Sequence, residues 1–260
     1  MAELDHVVIN ALAQMDAAAD LFAALGFQLT PRGHHSLGSI NHLMMTEGAY
    51  LELVGLPETG RQRQDVLNSP LGLNSLVLKT GDADATAAAL AAAGFLLQGP
   101  VAFSRPVAID GRDAEARFRT VRFPPETFPG GRVYFCQHLT PELVWRPEWL
   151  VHSNGFCGID QFRIEDPEPE AQAHRLARAF GVTVDRSGSE WQVPLSNTQI
   201  HVASGAASRF ATTRLLFSSL DEIERRAGAC AAADWARLGP TEGRLFLPSL
   251  NVSLTCGSSR

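Results

Sequence analysis

Two side chains near the start of the chain have the right type and setting for chemistry. His6 stands in the run Leu4-Asp5-His6-Val7-Val8-Ile9, and Glu52 in Tyr50-Leu51-Glu52-Leu53-Val54. Each is polar between apolar neighbours, so burying either without a partner would cost several kcal/mol (order of magnitude). An imidazole and a carboxylate so placed suit a divalent metal, a proton transfer, or a hydrogen bond to each other or to a ligand. Tyr50 lies two residues from Glu52 and belongs to the same strand face. Residues 31–39 add His34 and His35 beside glycines. That pair reads either as acid, base or donor groups at a cleft mouth, or as a plain turn with histidines in water. Asn41 and His42 are neighbours on the next strand, and alternation lets only one of them face a cleft.

The elements that must position these groups are strand, helix, then strands. Residues 4–10 read as a strand. Residues 16–25 read as a helix with Leu21, Phe22 and Leu25 as its buried edge, and Gly26 as the glycine after its end. Residues 27–30 read as the start of a strand. Residues 40–46 and 50–54 read as a hairpin around Glu47-Gly48-Ala49. The pattern recurs at Leu73-Asn74-Ser75-Leu76-Val77-Leu78 and at Ile159-Asp160-Gln161-Phe162-Arg163-Ile164, with helix exits at Gly94-Phe95 and Gly181-Val182. Such equal spacing indicates a repeat. Further strands are expected at 116–123, 132–137, 182–185, 191–194 and 199–203. A fourth, degraded copy has a strand at 213–217, a helix at 220–233 and a hairpin from 244–248 and 251–255. The expectation is an α+β fold of four βαβββ units, paired as domains 1–150 and 151–260. The second is divergent, with roughly one strand fewer. Residues 140–154 form the connector, whose Trp145 and Trp149 are expected to pack the halves together.

Composition limits the function. The chain has 260 residues, 45% hydrophobic and 19% charged, so a packed core is feasible. A net charge of −6 argues against a nucleic-acid partner. Cys136, Cys157, Cys230 and Cys256 form no Cys-x-x-Cys pair and read as free thiols in a reducing cytoplasm. The N-terminal residues lack a signal-peptide core, and no apolar run is long enough for a bilayer. Neither a glycine-rich phosphate loop nor a nucleophile elbow is present; Ser187-Gly188-Ser189 reads as a turn between strands.

Leu4–Ile9 with His6, the exit Leu25-Gly26-Phe27 and Tyr50-Leu51-Glu52-Leu53 resemble the vicinal oxygen chelate superfamily, the glyoxalase-like proteins. Gly33-His34, Gly38-Ser39-Ile40-Asn41 and the run from Gln137 and His138 to Trp145 resemble its glyoxalase-like domain branch, over about residues 4–150. The resemblance implies a metal held by the first and fourth strands of both units. Here the first unit offers His6 and Glu52. The second offers Ser75 where a histidine is needed, and no carboxylate in Val133–His138. If Cys136 and His138 face the cleft, then His6, Glu52 and His138 form a two-histidine, one-carboxylate set; if Gln137 faces in, the set is poor. The resemblance also favours Asn41 over His42 as the cleft residue. Arg119 and Arg122 are candidates for an anionic group, at most one of them facing the cleft. In the second half the corresponding positions, Gln161, His201, Arg214 and Asn251, contain no carboxylate.

By this resemblance the chain is expected to be an enzyme, a lyase, isomerase or dioxygenase acting on a small oxygen-bearing molecule. The implied cofactor is a divalent metal: zinc, manganese or iron. Glu52 and His34 are the expected catalytic residues. Asn41, Tyr50 and Gln137 are the expected substrate contacts, and His6, Glu52 and His138 the metal ligands. The alternative is a metal-free small-molecule binding or sequestering protein with the same cleft. The expected partner in either case is a small molecule, with no nucleic acid or membrane, in a cytoplasmic monomer or homodimer.

Overall fold

The computed structural model describes residues 2–109 and 111–259. Its first sheet contains β1 (Leu4–Leu12), β2 (Gly33–His34), β3 (Ile40–Met44) and β4 (Tyr50–Gly55). It is completed by β5 (Gly72–Lys79), β6 (Gln98–Ile109), β7 (Arg112–Arg122) and β8 (Arg132–His138). Helix α1 (Met15–Ala24) follows β1, the short α2 (Gln64–Leu67) precedes β5, and α3 (Ala83–Ala92) follows β5. The strand order is β2-β3-β4-β1-β5-β8-β7-β6. The central strands β1 and β5 run antiparallel, and each pairs in parallel with the last strand of its own unit, β4 or β8.

The second sheet repeats this plan with β9 (Phe156–Asp166), β10 (Asp185–Ser187), β11 (Glu190–Pro194) and β12 (Gln199–Ser204). It continues with β13 (Arg209–Phe217), β14 (Asp234–Gly239), β15 (Glu242–Leu247) and β16 (Val252–Ser258), and carries α4 (Pro169–Phe180) and α5 (Asp221–Gly228). Its order, β10-β11-β12-β9-β13-β16-β15-β14, matches the first sheet strand for strand. The expected degradation of this half is therefore overturned: both sheets have eight strands. The strand missing from the sequence reading is β14, where Asp234, Arg237 and Leu238 are exposed and leave no apolar face to detect. The expected helix over 220–233 stops at Gly228. β6 was also missed, because Pro100 and Pro106 speak against a strand; as the edge strand of its sheet it tolerates them. Residues 27–30 form no strand; the edge is the two-residue β2 instead.

Alternation sorts each strand of the first sheet. Val7, Ile9, Leu51, Leu53, Leu76, Leu78, Val133 and Phe135 face the helices, while Val8, Tyr50, Val54, Val77, Tyr134 and Cys136 face the concave side. The helix-side residues of both sheets form one continuous core. Phe27, at the exit of α1, touches Phe156 and Phe217, and Phe180 of α4 touches Phe135. The glycines that end the helices, Gly26, Gly94 and Gly181, have φ of 84°, 84° and 65°, the left-handed region that glycine enters without a Cβ penalty. Among the described residues no helix is long and apolar enough to cross a membrane.

The connector joins the halves by hydrogen bonds rather than by its tryptophans. The buried Asn154 donates from its side chain to Leu25 O (3.0 Å) and from its backbone to Gly26 O (3.2 Å), and its Oδ1 accepts from Phe156 N (3.0 Å). Asn197 likewise bonds both backbone groups of Leu4, at 2.8 and 2.9 Å. Trp145 and Trp149 instead pack into the concave face of the first sheet. Asn154→Ala removes the side-chain bonds to the buried carbonyl of Leu25, just past α1, and to the amide of Phe156. It is expected to cost about 1–3 kcal/mol, read as a lower urea midpoint with an unchanged slope.

Candidate functional site

The concave face of the first sheet holds a buried polar cluster. The register between β1 and β5 slips between Leu4 and His6, so Asp5 sits in a bulge. Strict alternation would send Asp5 to the helix side; the bulge turns its carboxylate to the cleft beside His6. His6 Nδ1 donates to Asp5 Oδ1 at 2.5 Å, and His6 Nε2 lies 3.3 Å from Glu52 Oε2. Asn41 donates from Nδ2 to the other oxygen of Glu52 at 2.8 Å. Tyr50 stacks on the His6 ring with centroids 4.6 Å apart. All five residues are buried.

This wiring fixes the charges. Burial disfavours the charged His6 ring, but the bonds to Asp5 and Glu52 and their negative charges outweigh it and raise its pKa to about 9. Burial likewise opposes ionisation of Glu52, and His6 overrides it, lowering the carboxyl to about 2. Asp5 overcomes its burial through His138 and His6 and lies well below the usual carboxylate range. The arrangement at neutral pH is a carboxylate, an imidazolium and a carboxylate in a row.

The expected site residues divide. The structure brings His6, Glu52, Asn41 and Tyr50 to one cavity of about 30 Å³, which also touches Arg63, Arg105 and Arg132. His138 does not join His6 and Glu52 around a common point. Its Nε2 donates to Asp5 Oδ1 at 3.1 Å, so Asp5 stands between the two histidines. Gln137 is on the helix side, where its amide accepts from Ala83 N and donates to Gly81 O at the start of α3, so it is no substrate contact. His34 is exposed; its neighbour His35 lines the cavity, with Nδ1 2.9 Å from Ser39 Oγ. Burial, reinforced by Arg105 and Arg63, lowers His35 to about 3, so its ring is neutral. His42 points away, holding Thr30 O. Of the two candidate arginines, Arg119 is paired with Asp84 on the helix side, while Arg122 bonds Thr120 Oγ1 on the cleft side. Trp145 closes the cleft, its ring 4.7 Å from His138 and 5.7 Å from Tyr50.

The sequence reading did not find Asp5, Arg63, Asp65, Arg105 and Arg132. Arg63 binds Asp65 through two bonds, at 2.7 and 2.6 Å, on the loop between β4 and β5 that turns back into the cleft. Arg132 bonds Asn74 Oδ1 at 2.7 Å and Asp65 Oδ2 at 3.0 Å. Arg132 stands two residues before Tyr134 on β8, a period-two signal that could have placed it.

The register also tests the metal site implied by the resemblance. Glu52 pairs with Val8 across β1 and β4; the equivalent partner of Val77 across β5 and β8 is Tyr134. The second unit thus offers Ser75 and Tyr134. The Ser75 hydroxyl donates to Asn74, and burial keeps the Tyr134 phenol protonated by pushing its pKa well up. Among the described residues no three His, Cys, Asp or Glu side chains surround a common point. The residues present do not fit a metal centre of that design.

The ionisation of His6 makes stability pH-dependent. Its pKa rises from 6.5 to about 9 on folding. Its contribution is therefore fully present below about pH 6.5 and is lost as pH rises through about 9. His6→Gln is expected to lose about 3–5 kcal/mol at neutral pH, because two buried carboxylates lose their cation. Urea midpoints measured across that window should fall with pH in the unmodified protein and run flatter in the variant.

Comparison with known proteins agrees with the fold. The fold is shared with a hypothetical protein from Staphylococcus aureus, at TM-score 0.71 and 12% identity over 100% of both chains. It is shared with a Mn(II)-bound glyoxalase from Novosphingobium aromaticivorans, at 0.60 and 12% over 99% of this chain and 83% of that one. A mutant 4-hydroxymandelate synthase from Streptomyces coelicolor scores 0.56 at 12% identity, over 99% and 93%. No curated protein sequence matches. A sequence model of the glyoxalase-like domain matches residues 4–180, more than half of the chain, so this protein belongs to the glyoxalase-like domain family.

Proposed function

We propose that the chain binds a small oxygen-bearing molecule in the first cleft, without a resident metal. The observation that carries this reading is the His6 ring held between Asp5 and Glu52, whose carboxylates raise its pKa to about 9. A proton on His6 balances the carboxylates where a metal would otherwise be needed. Its remaining polar surroundings, Asn41, His35 and the arginines, present donors to a ligand oxygen. The site belongs to residues 1–150. The matching face of residues 151–260 carries internally paired charges, Arg214 with Asp160 and both Arg163 and His201 with Glu190. A cytoplasmic setting is part of the same reading, resting on the four free cysteines.

A second reading, turnover as a lyase, isomerase or dioxygenase, is favoured by one feature. A protonated imidazole, His6, and a neutral one, His35, line the same cavity. Their pKa values of about 9 and about 3 lie far from neutrality, however, and an acid and base matched to work at neutral pH would lie nearer it. The structural likeness to a manganese glyoxalase and a synthase supports the common fold and not this activity.

Elemental analysis of protein purified without chelator is expected to find no stoichiometric zinc, manganese or iron. Adding each ion should leave the melting temperature unchanged. One metal per chain, lost in His6→Ala, would replace the binding reading by the metal-dependent one.

A further inference from the structure

The cleft carries more positive than negative charge. His6 is matched on both sides by Asp5 and Glu52. Next to it, Arg63, Arg122 and Arg132 gather around one carboxylate, Asp65, at 2.6, 3.9 and 3.0 Å. Arg105 is only 3% exposed and has no ion-pair partner among the described residues, and its Nη2 is buried without a hydrogen bond. Arg122 Nη2 is in the same condition in an adjoining cavity, which shares Arg63, Arg132 and Tyr134 with the first. A buried guanidinium with unmet donors is unfavourable unless something supplies an acceptor.

Arg105 is held in place from behind. A Cβ at Gly33 would lie 2.2 Å from Asn41 Oδ1 and 2.8 Å from Arg105 Cδ, so only glycine lets β2 close over both. The cavity of about 30 Å³ has room for about two oxygen-sized atoms. That is the footprint of a carboxylate, whose two oxygens match the planar fork of a guanidinium.

We propose that the ligand of the first cleft is an organic acid whose carboxylate is received by Arg105. This rests on the reading of that cleft as a ligand site and adds the charge of the ligand. Arg63 and Arg132, already fixed by Asp65, supply positive potential around the carboxylate rather than its direct bonds. Glu52, its second oxygen tied to Asn41, faces the same cavity and disfavours a second anionic group beside His6.

The test is thermal unfolding of the full chain with sodium formate or acetate, against formamide or acetamide, and with sodium chloride at equal ionic strength. The unmodified protein is expected to melt higher with either carboxylate than with its amide or with chloride. Arg105→Met should weaken half-saturation at least tenfold and, freed of an unpaired buried cation, melt above the unmodified protein in chloride alone. Arg105→Lys, which keeps the charge without the fork, should keep a weakened preference for carboxylate over amide, and it decides the matter if the methionine variant does not fold. An unchanged response in Arg105→Met, or amides as effective as acids, would overturn the carboxylate while leaving the cleft a ligand site. A larger shift with phosphate than with formate would overturn the assignment to a carboxylate. No shift with acid or amide would overturn the binding reading as well.

Discussion

The first sheet is built around one charged imidazole inside an apolar strand. Taking His6 out of water as a cation is unfavourable by several kcal/mol (order of magnitude), and one carboxylate on one side would leave the other nitrogen unmet. Both sides are occupied here, by Asp5 through a bulge and by Glu52 from the neighbouring parallel strand. The local features of the cleft follow from keeping that triad together. The bulge exists where Asp5 must turn inward. Asn41 holds the oxygen of Glu52 that His6 does not face, and Tyr50 covers the ring. Trp145 then seals the outer side by packing on His138 and Tyr50.

The same triad explains why the implied metal set is incomplete. A divalent ion between His6 and Glu52 would need further donors from β5 and β8, and those positions hold Ser75 and Tyr134. Neither is an anion at neutral pH, given the raised pKa of the phenol. With only one anionic ligand a cation would be weakly held, whereas a proton on His6 needs nothing from the second unit. In the binding reading proposed above, protonation of His6 takes the electrostatic part of a cation, and the site can keep its two first-unit residues while the other two change.

Much of this was legible in the sequence, and the failures have physical causes. The repeat and the helix exits follow from period-two patterns and glycine placement, which are local, and the convergence of His6 with Glu52 was implied by the resemblance, which sets the first and fourth strands of a unit at one site. Asp5 was not legible because a bulge breaks the alternation on which any facing argument rests. Arg105 was not legible because its strand, β6, contains prolines and is half exposed. Gln137 and His138 were assigned by a register uncertain by one residue, and such a slip exchanges faces: His138 lies on the cleft side but behind Asp5, and Gln137 lies against α3. His34 and His35 could be separated only by knowing where the two-residue strand β2 ends.

Two sheets of identical order need not carry two sites, and the charges show why. The Asp5 bulge has a counterpart at Asp160, where the register between β9 and β13 also slips, but that carboxylate is met directly by Arg214 through two bonds. Glu190 is shared between Arg163 and His201. Every one of these groups finds its partner on the protein, on a face only partly buried, so nothing there demands an outside ligand. In the first sheet Asp5 and Glu52 are paired with His6, which leaves the arginines beside them with too few carboxylates. A duplicated framework thus diverges by which side chain answers the bulge aspartate: an arginine closes the second sheet on itself, and a histidine leaves the first one open to an acid.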